Sequence, residues 1–150
     1  MAGAVIVSAL SRDGVDPFVG LLRAEGMGSA LEDGWWFGVR DDGSVVGVAR
    51  VQERAGFFIL DDVYVLPEHR KRGGATSLVT AARAFAGTRA ASEIWLLSDE
   101  DMIGFYRERG FVAVEPATFP PPLAELSASK GEWPVAGDHV HTAMRSPVHC

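Results

Sequence analysis

A glycine-rich turn between an apolar strand and an amphipathic helix constrains this chain more than any other feature. The turn reads RKRGGA at residues 70–75, and it follows a long apolar run at residues 57–66 that Pro67 closes. Glycines let a backbone bend sharply and approach a ligand closely. Amides at a helix N-terminus favour anions, and three basic residues stand here in a chain of formal net charge −6. The turn therefore predicts a pyrophosphate site.

Two better-known phosphate-binding loops do not fit these residues. A Walker loop needs Gly-Lys-Ser/Thr after the turn, and a dinucleotide-binding fingerprint needs Gly-x-Gly-x-x-Gly; neither is present. A plain strand-to-helix loop with a solvated basic face stays open as the alternative.

The order of elements predicts an α/β fold with a mixed sheet of about six to seven strands flanked by helices. Helical spacing after the turn is carried by Leu78, Val79, Ala82, Phe85 and Ala86. An earlier helix is expected to start at Asp16-Pro17, and a later one to run over residues 99–109. The predicted strands are residues 4–9, 35–40, 45–52, 57–66, 93–98 and 111–115, with a further one at 139–145.

One domain over residues 1–150 is expected, with a core at about 4–115. Residues 116–138 hold five of the eight prolines and form, with the last strand, an arm that ends near 145. A hairpin turn is expected at residues 41–43.

Composition removes several classes of function. The negative charge argues against a nucleic-acid binder. A single cysteine, Cys150, excludes an internal disulfide and a cysteine-rich metal site. His139, His141 and His149 lack an acidic partner, so no metal is expected. No apolar run is long enough for a membrane span, and a cytoplasmic location is expected.

Two motifs together resemble the GNAT superfamily of N-acetyltransferases. Residues 61–75, DDVYVLPEHRKRGGA, are similar to its central motif, and residues 105–111, FYRERGF, are similar to its Phe-Tyr-x-x-x-Gly-Phe motif. The resemblance covers about residues 45–115. It implies a GNAT-type sheet whose fourth strand is bulged and splayed from the fifth, and acetyl-coenzyme A as cosubstrate. Exposed strands often pair in this fold, so a homodimer is compatible with it.

The resemblance also implies where the coenzyme binds. The backbone at residues 63–65 would hold the pantetheine arm, and the amides of residues 71–76 would hold the pyrophosphate. Asp99 stands where the family often has asparagine, and an acid is less suited to an anionic ligand. The expected coenzyme-binding residues are Val63, Tyr64, Val65, Arg70, Lys71, Arg72, Gly73, Gly74, Ala75, Thr76 and Asp99.

Acetylation of an amine requires a base for the ammonium proton, a donor for the oxyanion and an acid for the departing thiolate. Tyr106 is the predicted acid, because a phenol pKa near 10 suits a thiol leaving group. The alternative is that Tyr106 is a core aromatic residue packed beside Phe105 and Phe111.

Asp61 and Asp62 interrupt an apolar strand, and buried carboxylates need a reason. Asp61 is the predicted catalytic base or amine anchor, and alternation places it on the face of Val63 and Val65. Asp62 is expected to bind substrate or pair with an arginine. Exposure of both at a strand end remains the alternative.

The acceptor is left open between two cues. Trp36 could line an acceptor pocket or pack in the core. Residues 111–115, 120–123 and 141–145 are loosely similar to the end of amino-acid N-acetyltransferases of the acetylglutamate-synthase kind, although the arginine and cysteine usual there are absent. The aspartates instead favour a cationic, polyamine-like amine. The predicted partner is thus a small-molecule amine, with protein acetylation and a non-catalytic acyl-coenzyme A sensor as alternatives.

Overall fold

The computed structural model describes residues 6–24, 34–54, 56–98, 100–114 and 142–148. Seven strands of this described part form one mixed sheet, in the order β1-β2-β3-β4-β5-β7-β6. The strands are β1 (Ile6–Leu10), β2 (Trp35–Asp41), β3 (Ser44–Arg54), β4 (Phe57–Val65), β5 (Glu93–Ser98), β6 (Val112–Ala113) and β7 (Thr142–Pro147). The predicted fold class is confirmed.

The first helical region begins earlier than predicted. Short α1 (Arg12–Val15) is followed by a 3₁₀ turn (Asp16–Phe18) and by α2 (Val19–Ala24). Asp16 has helical backbone angles and accepts a hydrogen bond from Arg12 Nε at 3.2 Å, so it does not serve as the N-cap. The prediction that the helix starts at Asp16 is therefore wrong by one turn.

The two later helices lie close to their predicted positions. Helix α3 (Gly74–Thr88) follows the glycine-rich turn, and a 3₁₀ turn (Glu100–Met102) leads into α4 (Ile103–Glu108). A further 3₁₀ turn (Pro67–His69) links β4 to the glycine-rich turn. The predicted apolar face of α3 is confirmed, since Leu78, Val79, Ala82 and Ala86 are buried against the sheet.

Apolar side chains cover both faces of the sheet. One cluster lies between the sheet and α3 and includes Val39, Leu60 and Leu78. The second joins Val15, Phe18 and Leu22 of the first helical region to the opposite face. Trp36, Val48 and Tyr64 supply the strand residues of that second cluster.

The fourth strand is bulged and leaves its neighbour partway along. Val48 pairs with Tyr64 and Arg50 pairs with Asp61, so two residues of β4 lie opposite one residue of β3. Asp62, one of the two, has a φ of 53°. Parallel pairing of β4 with β5 joins residues 58–60 to residues 94–96, whereas β4 continues to Val65. Because a bulge bends a strand, the last part of β4 diverges from β5, as predicted.

Candidate active site

The glycine-rich turn presents unpaired backbone donors at the start of α3. Gly73 caps the helix with a φ of 85°, and the first intrahelical bond runs from Ser77 N to Gly73 O at 2.9 Å. The amides of Gly74, Ala75 and Thr76 therefore precede the helical ladder and have no partner within it. A Cβ on Gly73 would meet no atom within 4 Å among the described residues, so the turn is open on that side.

Two of the three basic residues of the turn make contacts within the protein. Arg70 Nε donates to the carbonyl of Val65 at 2.9 Å, and its guanidinium lies 5.5 Å from the Tyr64 ring centroid. Arg72 Nη1 donates to Asp41 Oδ2 at 3.1 Å. Lys71 is exposed. The turn is thus fixed to the end of β4 and to the end of β2, with residues 70–73 exposed and Gly74 buried.

The predicted pantetheine segment is paired along one edge only. Val65 pairs with Gly47 of β3, and Leu66 N donates to Val46 O at 2.8 Å. On the other edge, the described residues beyond Leu60 have no register pair in β5. Val63, Tyr64 and Val65 therefore border the opening between the two strands and lead to the glycine-rich turn.

A buried charge cluster occupies the bulge. Arg50 is fully buried and its Nη2 lies 2.8 Å from Asp62 Oδ2 and 3.5 Å from Asp61 Oδ2. Gln52 Nε2 donates to Asp61 Oδ2 at 3.2 Å, and the Asp62 amide donates to Asp61 Oδ1 at 2.9 Å. The two aspartates are 8% and 4% exposed, which contradicts the alternative of exposure at a strand end.

The bulge corrects the predicted direction of Asp61. Asp61 pairs with Arg50 and bonds to Gln52, on the face that carries Trp36 and Tyr64. Val65 belongs to the cluster on the α3 face. The prediction that Asp61 shares a face with Val63 and Val65 is wrong, because the extra residue reverses the alternation.

Trp36 lies two strands away from Asp61 in the same row. Leu10 pairs with Trp36, Trp36 with Arg50, and Arg50 with Asp61. The Arg50 guanidinium carbon lies 5.5 Å from the Trp36 ring centroid, so the cation joins the indole to the carboxylates. Trp36 also lines a pocket of about 520 Å³, whose other lining residues are Ala9, Leu10, Arg12, Gly34, Trp35, Phe37 and Phe85. Trp36 is itself largely buried and belongs to the apolar cluster on this face of the sheet.

Tyr106 is buried on α4. Its ring makes edge contacts with Phe105 and Phe111, with centroid distances of 5.1 and 5.7 Å. The packing predicted for this side chain is therefore present, whatever chemistry its hydroxyl performs. Asp99, the other predicted residue of this region, lies outside the described residues, as do His139, His141 and His149.

Arg50 and Gln52 are functional candidates that sequence reasoning missed. In an amphipathic strand, polar residues at alternate positions are expected to face solvent. The β3–β4 hairpin could have revealed them. Arg54 pairs with Phe57, and the same register places Arg50 directly opposite Asp61. Asp41, which holds Arg72, was missed because it lies at the end of β2, 31 residues before Arg72 in the chain.

Within the described residues, no helix is long and apolar enough to cross a membrane.

A family model described as Acetyltransferase (GNAT) family matches residues 13–111, which is more than half of the chain. No curated protein matches the sequence. The matched region spans the bulged strand, the glycine-rich turn and both later helices.

Solved structures with the same fold act on different acceptors. N-acetylglutamate synthase from Neisseria gonorrhoeae, complexed with coenzyme A and N-acetyl-glutamate, matches with a TM-score of 0.80 and 18% identity, over 99% of this chain and 36% of that one. This chain therefore spans about a third of that enzyme's length.

Two further solved structures, matched over nearly their whole length, have names that indicate other acceptors. The ribosomal-protein-S18-alanine N-acetyltransferase from Escherichia coli matches with a TM-score of 0.70 and 15% identity, over 98% of this chain and 96% of that one. An aminoglycoside 6'-N-acetyltransferase complexed with coenzyme A matches at 0.72 and 17%, over 97% and 98%. At these identities the likeness shows the fold alone.

We predict that Arg50→Met destabilises the protein by about 3–5 kcal/mol, because it leaves two buried carboxylates without their shared cation. Arg12→Met is the matched control, since Arg12 and Asp16 form an exposed pair with side chains 46% and 59% accessible. Its cost should stay under about 1 kcal/mol. Urea unfolding followed by tryptophan fluorescence measures both, and equal costs would contradict the assigned role of Arg50.

Proposed function

Since the chain belongs to the acetyltransferase (GNAT) family, we propose that it transfers the acetyl group of acetyl-coenzyme A to the primary amine of a small molecule. The observation that carries this proposal is the divergence of β4 from β5 beyond Leu60, which opens directly onto the glycine-rich turn. An extended thioester arm ending in a pyrophosphate fits such a gap.

The coenzyme would be held mainly by backbone. The free edge of Val63, Tyr64 and Val65 offers strand-like hydrogen bonds to the amides of the pantetheine arm. The amides of Gly74, Ala75 and Thr76 offer donors to the pyrophosphate, at the positive end of a 15-residue helix. Lys71 is exposed beside them and adds charge, while Arg70 and Arg72 keep the turn in place.

The carboxylate cluster supports a cationic acceptor. Two carboxylates lie beside the single guanidinium of Arg50 in this cluster. Asp61 is the more exposed aspartate and the first residue of β4 beyond its pairing with β5. An ammonium group entering the gap would therefore meet Asp61 before any other described carboxylate of β4.

The reaction then needs a base for the ammonium proton, a hydrogen-bond donor for the oxyanion and an acid for the thiolate. Asp61, directly or through water, takes the ammonium proton, so that the amine nitrogen can attack the thioester carbonyl. An amide of residues 63–65 donates to the oxyanion. As the carbon–sulfur bond breaks and the carbonyl reforms, the Tyr106 hydroxyl gives its proton to the thiolate. The nitrogen loses its second proton to solvent, and solvent returns a proton to the tyrosine.

Three neighbours differ in their acceptors: an amino acid, an aminoglycoside and a ribosomal protein. The negative charge at Asp61 suits a polyamine-like amine, and the neighbour with N-acetyl-glutamate supports an amino acid. Both are small-molecule amines, so the proposal is stated at that level.

Coenzyme binding is tested by Gly73→Val against Gly56→Val. Both glycines have a φ of 85°, and an added Cβ would meet open space among the described residues at either position, so the backbone strain should be similar. Only Gly73 adjoins the predicted pyrophosphate site. We expect calorimetric titration with coenzyme A to give an affinity at least about tenfold weaker for Gly73→Val alone. Equal losses of affinity in the two variants would mean that the turn is only structural.

The acceptor is tested by thiol release from acetyl-coenzyme A with a panel of amines and amino acids. With the best acceptor, Asp61→Asn should lower kcat/KM by roughly 10²-fold or more while coenzyme affinity changes little. Glu53→Gln is the control, because Glu53 is an exposed carboxylate on the neighbouring strand. The same decrease in both variants, or none in Asp61→Asn, would remove Asp61 from the mechanism.

Tyr106→Phe separates an enzyme from a sensor. The ring contacts with Phe105 and Phe111 are kept, so the variant should fold and its coenzyme affinity should be nearly unchanged. If Tyr106 is the acid, kcat should fall by about 10²-fold. A variant with full kcat would show that another group protonates the thiolate, and a wild-type chain that binds coenzyme without any turnover would favour the sensor.

A further inference from the structure

Arg109 makes the densest set of side-chain contacts near the glycine-rich turn, and neither motif assigns it a role. It caps the C-terminal end of α4. Its Nε and Nη2 both donate to Thr76 Oγ1, at 2.9 and 2.7 Å, and its Nη1 donates to the carbonyl of Phe105 at 2.8 Å. The guanidinium carbon also lies 3.7 Å from the Phe105 ring centroid. The planar group is thereby fixed on several sides.

These contacts determine what the Thr76 hydroxyl can still do. A hydroxyl has one proton and two acceptor lone pairs. The two N–H groups of Arg109 donate to this oxygen from the same side, so the hydroxyl proton points away from Arg109 and is available to another acceptor. Among the described residues, no acceptor takes its proton. A phosphate oxygen, which only accepts, is the complementary partner for such a group.

The Thr76 hydroxyl lies at the helix end that is proposed to bind the pyrophosphate. Thr76 is the third residue of α3, beside the free amides of the first turn. Arg109 therefore adds an aligned hydroxyl donor to the helix end that would bind the anion. The Arg109 side chain is 25% accessible and also pairs with Glu108, with 3.7 Å between Nη1 and Oε2.

The same arginine joins two elements of the proposed mechanism. Tyr106 lies on α4, three residues before Arg109, and Thr76 lies on α3. Arg83 of α3 donates to the carbonyl of Arg109 and stacks 5.1 Å from the Phe111 ring centroid, which fixes the end of α4 from a second side. Burial lowers the pKa of Arg83.

We propose that Arg109 is a positioning residue for coenzyme binding, which orients the Thr76 hydroxyl as a donor toward the pyrophosphate and holds α4 against the first turn of α3. The inference rests on the proposed function, because it takes the anion at this turn to be the coenzyme pyrophosphate. It concerns a side chain that acts through Thr76, so the two residues should behave as one unit.

The test compares Arg109→Gln with Arg107→Gln by calorimetric titration with coenzyme A. Arg107 is an exposed arginine on the same helix, so its variant removes the same charge without touching Thr76. Without Arg109 to orient it, the Thr76 hydroxyl would lose its hydrogen bond to the pyrophosphate, and the Kd of Arg109→Gln should rise about tenfold. The Kd of Arg107→Gln should stay within about twofold of the wild type.

A double-mutant cycle separates positioning from general stability. Thr76→Val should weaken binding about as much as Arg109→Gln, and the double variant should be no weaker than either one. Thr76→Ser keeps the hydroxyl and should bind like the wild type. If Arg109→Gln does not fold, the Val and Ser variants of Thr76 decide the question between them.

Each remaining result counts against the proposal. Equal Kd values for Arg109→Gln and Arg107→Gln, additive losses in the double variant, or equal Kd values for Thr76→Val and Thr76→Ser would overturn it while leaving the transferase proposal intact. A wild-type chain that does not bind coenzyme A would instead overturn the proposed function and this inference with it.

Discussion

The buried ion cluster of Arg50, Asp61 and Asp62 is the interaction on which the site depends. A guanidinium with no accessible surface would be very costly without carboxylates beside it. Asp62 supplies the closer carboxylate from a bulge at φ 53°, and Asp61 accepts from the amide of that same residue. The cluster therefore stabilises a backbone conformation that a regular strand would not adopt.

The bulge has consequences at both ends of the site. It bends β4 away from β5 beyond Leu60, and so creates the opening in which the proposed coenzyme arm would lie. It also turns Asp61 to the face of Trp36 and Tyr64, where an acceptor amine would meet a carboxylate. One extra residue in β4 therefore lies between the backbone edge proposed to bind the coenzyme, at residues 63–65, and the Asp61 side chain proposed to meet the amine.

The proposed coenzyme end of the site is assembled from elements far apart in sequence. The glycine-rich turn supplies the amides, but Asp41 of β2 holds Arg72 and Arg109 of α4 holds Thr76. These contacts fix the first turn of α3 from two directions. A preorganised set of donors binds an anion with less loss of conformational freedom than a mobile loop would.

The glycine-rich turn and the helix after it could be predicted from local sequence, because they depend on residues that are close together in the chain. The turn RKRGGA has glycine where a φ of 85° is required, and the apolar positions of α3 follow the helical period. The start of the first helix was misplaced, since Asp16 proved able to pair with Arg12 instead of capping. Local propensity predicted the helices and strands, but it could not decide whether Asp16 would cap a helix or pair with Arg12.

The sequence by itself determined the order of strands and helices, the glycine-rich turn before α3 and the family, because each depends on residues close together in the chain. Only the tertiary structure decided which face Asp61 occupies, since that depends on the register between β3 and β4 and on the position of a single bulged residue. It also brought Arg50 to the aspartates and Arg109 to Thr76, 33 residues apart, by packing that no local pattern encodes.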